Sequence, residues 1–263
     1  KEILNKWILQ GGKWKKHWSY NKPIKPHIPA VKNKSWINND IDYFTLKNIE
    51  ANGLNISSVE DKEILIRRIY FDLIGLPPSV EEIDEFLNDQ TENSYEKIVD
   101  KLLNSENYGE RMASIWMDIA RYGDSHGYQD DLERVMWPWR DWVIHAYNSN
   151  LPYDEFITWQ LAGDLIPNAT KEQIIATGFN RNHKITQEGG VIPEEYRTEY
   201  VADRTNTTSK MMLGLTMECA RCHSHKYDEI SHDEYYGMFS YFNNIDEEGL
   251  ITYQDKAPKP NIT

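Results

Sequence analysis

The two cysteines of the chain stand three positions apart and are followed directly by a histidine, in Cys219-Ala-Arg-Cys222-His223. With this C-x-x-C-H spacing, the two thiols can form thioether bonds with the two vinyl groups of one haem. The histidine can then bind the iron as its proximal ligand. The segment therefore predicts one covalently attached haem c in this chain, held by Cys219 and Cys222 and ligated by His223.

Two other interpretations of the same cysteines remain open. A redox or structural disulfide between Cys219 and Cys222 would leave His223 without a chemical role. A tetrahedral zinc site would add histidines such as His225. The histidines that follow, His225 and His232, do not have the usual H-x₃₋₅-H spacing of structural zinc sites. The spacing favours haem over zinc or a disulfide.

The segment between Glu188 and Arg204 combines five carboxylates with two arginines. One interpretation is a site beside the haem, in which Arg197 or Arg204 pairs with the haem propionates. The other is a helix whose acidic and basic side chains form ion pairs along a solvated face. The acidic residues at the predicted helix start favour the second interpretation.

Composition and hydropathy exclude several functions. The chain has 42 acidic residues against 29 Lys and Arg, a net charge of −13, which argues against a nucleic-acid partner. No apolar run approaches the length of a membrane span. Nine lysines and one glutamate lie within residues 1–34, and this basic segment is predicted to be a solvated tail on an acidic body.

Apolar residues recur at helical spacing along most of the chain, which predicts a mainly α fold with long loops and very little strand. Helix caps are predicted at Ser79, with Glu82 three positions later, and at Thr170. Five tryptophans at helical spacings are expected mostly in the core: Trp116, Trp137, Trp139, Trp142 and Trp159. Helices are predicted over residues 1–14, 64–74, 95–103, 110–122, 138–147, 156–161, 170–179, 233–242, and from Pro193 towards Cys219. A weak strand is predicted over 250–253.

Long stretches of the sequence resemble a known family. They are His17-Trp18-Ser19-Tyr20, Ile74-Gly-Leu-Pro-Pro78, Tyr108-Gly-Glu-Arg111, Arg140-Asp-Trp-Val143, Gln160-Leu-Ala-Gly-Asp-Leu165, Ala176-Thr-Gly-Phe-Asn-Arg181, Glu188-Gly-Gly190 and Cys219-Ala-Arg-Cys-His-Ser-His-Lys-Tyr-Asp228. The chain is similar over residues 17–247 to the second domain of the planctomycete cytochrome C domain family. It departs from the family pattern at Ser224, where Asp is usual, and at Glu229, where proline is usual.

The resemblance implies a domain order. In the family, a c-type cytochrome domain precedes this domain and a further domain, termed PSD, follows it. Residues 1–21 are therefore predicted to be the closing helix of a preceding cytochrome c-like domain. Residues 22–34, with a proline at every third position from Pro23 to Pro29, are predicted to be a linker. Residues 35–248 would form the helical haem-binding domain, and 249–263 an extended tail leading to the next domain of a longer, multihaem protein.

The resemblance also bears on the sixth iron ligand. His183 lies in a family block, on a predicted loop before the helix that leads to Cys219, and is our first candidate for the distal ligand. Methionines before the motif (Met211, Met212 and Met217) and an open, high-spin iron are the alternatives. His225 is too close to His223 to reach the opposite haem face, so its predicted role is a hydrogen bond to a propionate or contact with another cofactor.

The sequence thus predicts a periplasmic or cell-surface c-type haem protein, because haem attachment to C-x-x-C-H takes place outside the cytoplasm. It would transfer electrons or serve as the redox module of a larger oxidoreductase. Its partners would be a redox protein or other haem domains of the same polypeptide. One alternative is a haem-iron peroxidase or dehydrogenase with a carbohydrate as candidate substrate. Another is a non-redox scaffold or glycan-binding domain with zinc or a disulfide at the cysteines.

Overall fold

The computed structural model describes residues 1–13 and 17–250. This part of the chain contains eleven α-helices and almost no strand. This confirms the mainly α prediction. Within this described part, two isolated β-bridges occur, Ser125 with Glu133 and Thr186 with Leu250. Leu250 is the first residue of the predicted strand, and residues 251–253 lie outside the described part. Contacts divide the chain into two units, Lys1–Glu60 and Asp61–Thr263.

The first unit contains α1 (Glu2–Leu9), a 3₁₀ turn (Trp18–Tyr20) and α2 (Asp40–Ala51). Helix α1 is shorter than the predicted 1–14, because the chain turns at Gly11 and Gly12, which both adopt positive φ. Residue 14 lies outside the described part. The proline-rich segment contains no helix or strand, and the backbone N–H groups of Lys32 and Asn33 donate to the Glu50 carboxylate. The boundaries predicted at 21/22 and 34/35 stay predictions.

The second unit begins with α3 (Lys62–Leu73), α4 (Val80–Asn88) and α5 (Ser94–Leu103). Their apolar faces form one core cluster of Ile66, Ile69, Tyr70, Phe86 and Leu102. The predicted capping box at the start of α4 is confirmed, since Ser79 Oγ accepts from the Glu82 N–H and the Glu82 carboxylate accepts from the Ser79 N–H. The capping box at Thr170 is likewise present.

The main core lies among α6 (Glu106–Ile119), α7 (Trp137–Asn148), α8 (Tyr153–Ala162) and α9 (Lys171–Ala176). Helices α6 and α7 approach closely at Gly109, whose N–H donates to Asn148 Oδ1 and where a Cβ would stand 2.5 Å from the Ile144 carbonyl oxygen. Three of the five predicted core tryptophans are buried there and Trp159 is partly buried, but Trp137 is 52% exposed. The prediction is wrong for Trp137, which occupies the first position of α7.

The last part consists of α10 (Pro193–Thr208), a π-helical turn (Ser209–Leu213), a 3₁₀ turn (Glu218–Arg221) and α11 (His232–Phe242). The helical stretch from Pro193 runs towards the cysteines, as predicted, but does not reach them. The helical path ends at Gly214, which adopts a left-handed conformation with φ of +65°. The C-x-x-C-H segment therefore lies on a separate short turn.

Candidate functional site

The short turn of residues 218–223, which begins with the 3₁₀ turn Glu218–Arg221 and carries both cysteines and His223, is anchored on both sides. Ala220 is fully buried and packs with Met217, Ile230 and Tyr235 in a small core cluster. The Arg221 guanidinium donates to the Glu199 carboxylate of α10 at 2.9 Å. The backbone oxygen of Arg221 accepts from the Tyr236 hydroxyl of α11 at 3.1 Å. These contacts give the turn a defined position between two helices.

The reactive atoms of this turn face outwards. Cys219 and Cys222 are free thiols and both are exposed, as is His223. Exposed thiols are accessible to a large planar group such as haem, and the two cysteines and the histidine come from five consecutive residues. Cys219, Cys222 and His223 are thus all exposed, and their joint binding of a haem stays a prediction.

The hydrogen bond of His223 determines which ring nitrogen is available. His223 Nδ1 lies 2.8 Å from the Ser224 carbonyl oxygen. Because a carbonyl oxygen only accepts, Nδ1 carries the proton and Nε2 carries the lone pair. A histidine that binds a metal through one nitrogen commonly donates its other N–H to a backbone carbonyl in this way. Among the described residues, His223 Nε2 has no hydrogen-bond partner, so this residue fits the role of an iron ligand.

His225 has the opposite arrangement. Its Nδ1 accepts from the backbone N–H groups of Tyr227, at 3.3 Å, and Asp228, at 2.9 Å. Nε2 is therefore the protonated nitrogen of the neutral ring. With the further bond from the His225 N–H to the Ile230 carbonyl, at 2.8 Å, the side chain holds the loop after the motif in place. Its predicted contact with a propionate or another cofactor stays a prediction.

His183 lies in a different environment, an almost fully buried cluster with Arg204 and Glu247. His183 is 3% exposed and Arg204 is 2% exposed. Arg204 Nη2 lies 2.7 Å from His183 Nε2 and 2.6 Å from Glu247 Oε2, and Arg204 Nη1 donates to Glu247 Oε1. The His183 ring stacks on Tyr200 with a centroid distance of 4.5 Å. The cluster ties the loop before α10 and the chain after α11 to α10 itself.

The charge state of His183 follows from its surroundings. Burial, followed by the positive charge of Arg204, holds the pKa of His183 well below its ordinary value of 6.5. The neutral ring donates its Nδ1–H to the Lys184 carbonyl at 2.8 Å and accepts at Nε2 from Arg204. Both ring nitrogens are therefore used within the protein. As a distal ligand, His183 would have to give up its bond to Arg204, and its assignment as the sixth ligand stays a prediction.

The two arginines of the carboxylate-rich segment, Arg197 and Arg204, have different partners. Arg197 pairs with Glu194, three positions earlier on α10, at 2.7 Å and also contacts Asn243 Oδ1, which agrees with ion pairs along a solvated face. That interpretation is wrong for Arg204, whose partner Glu247 lies 43 residues further along the chain. The sequence analysis missed Glu247, because no local signal connects it to Arg204. Whether either arginine contacts a propionate stays a prediction.

Within residues 1–13 and 17–250, no three His, Cys, Asp or Glu side chains cluster in a way that would hold a metal ion. In the same residues, no helix is both long and apolar enough to cross a membrane. Haem attachment through C-x-x-C-H does not require a cluster of metal-binding side chains from several segments, because both thioethers and the proximal ligand come from one segment.

The sequence model of one family matches residues 40–247, most of the chain. The chain therefore belongs to the PSCyt2 family, which is described as a protein of unknown function (DUF1549) and is a planctomycete cytochrome-c-associated domain family. This confirms the resemblance seen in the sequence. No curated protein and no solved structure matches the chain.

Proposed function

We propose that this protein is an extracytoplasmic c-type haem protein that transfers electrons or serves as the redox module of a larger oxidoreductase. The observation that carries the proposal is the turn with Cys219 and Cys222 as exposed thiols and His223 with its Nε2 available. The family supports the context of a cytochrome c, although its description assigns no activity.

Each of the three reactive residues of the turn would have its own role in haem binding. Cys219 and Cys222 would hold the haem, and His223 would bind the iron through Nε2, with the Ser224 carbonyl keeping the ring in the required tautomer. Bound in this way, a haem supplies one-electron exchange between the ferric and ferrous states. Because the turn is exposed, the edge of the haem would be within reach of a redox partner protein or another haem domain of the same polypeptide.

The test is haem attachment in a host that matures c-type cytochromes. We expect the intact mass to exceed the polypeptide mass by one haem after denaturation, and the pyridine haemochrome spectrum to be that of a thioether-linked haem. The double variant Cys219→Ala, Cys222→Ala should lose both signals. The variant His145→Gln is the matched control, since it changes an exposed histidine of α7 that has no part in haem binding in this proposal.

Several outcomes would contradict the proposal. A bare polypeptide mass from that host would refute haem attachment, and zinc or a Cys219–Cys222 disulfide in the same sample would instead support the non-redox scaffold or glycan-binding alternative. Location is tested separately by cell fractionation, where we expect the periplasmic or surface fraction. Recovery only from the cytosol would contradict the predicted location.

A second candidate, a haem-iron enzyme such as a peroxidase or dehydrogenase, is favoured by one observation. His183, the first candidate for the sixth ligand, has both ring nitrogens hydrogen-bonded. Of the methionine candidates, Met217 is 5% exposed within a core cluster, and Met211 and Met212 pack against the main core. A high-spin ferric spectrum of the haem-loaded chain, changed by added cyanide or azide, would support this enzyme, whereas a six-coordinate low-spin spectrum would support electron transfer.

A further inference from the structure

Four arginine side chains gather around His183, and ion pairs with carboxylates account for two of them. Arg121, Arg134 and Arg204 are close enough to His183 to lower its pKa, and Arg181 lines the same cavity. The Asp203 carboxylate pairs with Arg121 and the Glu247 carboxylate with Arg204. The other two guanidinium groups form no ion pair with a carboxylate among the described residues, although Asp246 and Glu248 line the same cavity.

The two remaining arginines, Arg134 and Arg181, differ in what they contact. Arg134 donates to the backbone carbonyls of Arg181, at 3.0 Å, and His183, at 2.8 Å, so its charge is partly solvated by the protein. The Arg181 side chain, which is partly buried, makes no hydrogen bond or ion pair within residues 1–13 and 17–250. Burial, followed by the charge of Arg204, lowers the pKa of Arg181. An unpaired, partly desolvated guanidinium is a strong donor for an anion.

Arg181 lies where two cavities meet. One, of about 110 Å³, is lined by the His183 cluster, and the other, of about 900 Å³, extends towards α8 and α11. Asn180, Arg181, Ile245 and Asp246 line both of them. The larger cavity has the size of a small-molecule site, and a ligand in it could place an anionic group against Arg181.

The lining of the larger cavity indicates the rest of the ligand. Apolar and aromatic side chains supply most of its wall: Leu161, Leu165, Met238, Tyr241, Phe242 and Ile245. Two exposed carboxylates, Asp164 and Asp246, also lie on it. They would repel a ligand with several negative charges, such as a phosphate ester, more strongly than a ligand with a single charge held at Arg181.

We propose that Arg181 binds the carboxylate of an organic monocarboxylate whose apolar body lies in the adjoining 900 Å³ cavity. This inference does not depend on haem attachment. The same chemistry has two sources, a free carboxylic acid or a propionate of a haem bound to this chain, because both present a carboxylate on an apolar body.

The experiment is calorimetric titration of the purified chain with sodium hexanoate, sodium benzoate, the neutral hexanamide and inorganic phosphate. We expect the carboxylates to bind at millimolar or lower concentration and hexanamide at least about tenfold more weakly, because a charged hydrogen bond to Arg181 is lost. Phosphate should bind more weakly than hexanoate. These comparisons use the unaltered chain, so they do not depend on the folding of any variant.

Variants then assign the site. Arg181→Gln should weaken hexanoate binding by about tenfold or more, and Arg181→Lys by less, since it keeps the charge but not the planar fork. Arg140→Gln, which removes a guanidinium already paired with Asp141 on α7, should bind as the unaltered chain does. Absence of carboxylate binding, equal binding of hexanoate and hexanamide, or equal loss in Arg181→Gln and Arg140→Gln would each overturn the proposal.

The two sources are separated by comparing the haem-loaded chain with the double variant Cys219→Ala, Cys222→Ala. If a haem propionate occupies the site, hexanoate will bind only to the double variant. If a free acid is the ligand, both forms will bind hexanoate with the same dissociation constant.

Discussion

His223 and His183 have the same local hydrogen bond but opposite surroundings. In each, Nδ1 donates to the carbonyl of the next residue at 2.8 Å, so both rings present an Nε2 lone pair. At His223 this nitrogen is on an exposed turn, whereas at His183 it accepts from a buried arginine. The comparison teaches that the neighbouring backbone sets the tautomer of a histidine, whereas the tertiary environment determines whether the lone pair is available to a metal.

The largest loss of stability is expected when Arg204, the partner of the buried His183, is replaced. Arg204→Met removes the guanidinium that neutralises Glu247 and bonds His183, and leaves a carboxylate buried without its partner. Breaking one side of a buried ion pair costs about 3–5 kcal/mol, so urea unfolding should show a loss of stability of this size. Arg197→Met is the matched control and should change stability far less, because its pair with Glu194 is on the surface. Similar losses in both variants would show that the cluster is not a structural centre.

His183→Ala separates a structural histidine from an iron ligand. The variant removes one of the two acceptors of Arg204 Nη2 and the stacking on Tyr200, so we expect a loss of about 1–3 kcal/mol. The absorption spectrum of the haem-loaded form tests the iron ligand separately. An unchanged spectrum would show that His183 is not the distal ligand, and a change from low-spin to high-spin would confirm that it is.

The buried histidine should also make stability depend on pH. Because the folded protein holds the pKa of His183 well below 6.5, the unfolded chain binds a proton below pH 6.5 that the folded chain does not bind. Stability should therefore fall as the pH falls below about 6.5, by at most about 1.4 kcal/mol per pH unit for this one group. His126, whose pKa burial also lowers, adds in the same direction. His183→Gln should reduce the slope measured by unfolding between about pH 7.5 and 5.5, and an unchanged slope would show that His183 protonates equally in both states.

The smallest loss of stability is expected at the turn that carries the exposed His223. Arg221→Ala removes the ion pair with Glu199 that links the turn to α10, but both side chains are partly exposed. Such pairs contribute about 1 kcal/mol or less, and haem attachment should persist because the thiols and His223 stay on the turn. A double-mutant cycle with Glu199→Ala measures the pair directly. A coupling of several kcal/mol would mean that the turn depends on tertiary ion pairs as much as the His183 cluster does.

Features that depend on neighbouring residues could be predicted from the sequence. The capping boxes at Ser79 and Thr170, the break of α3 before Pro77, and the grouping of Cys219, Cys222 and His223 all follow from residues within four positions of each other. The end of the helical path at Gly214 could also be predicted from the sequence, because glycine is a common residue at the end of a helix. The prediction missed it because the apolar spacing continues through Met211 and Met212.

The sequence by itself determined the mainly α class, most helix starts and the chemistry of the C-x-x-C-H segment, because these depend on period, caps and adjacency. Only the tertiary structure decided that Arg204 is buried against Glu247, that Arg197 on the same helix pairs on the surface, and that His183 uses both of its ring nitrogens. Two arginines seven positions apart lie on nearly the same face of a helix, so their spacing does not distinguish them. What separates them is the chain after α11, which places Glu247 against one arginine and not the other.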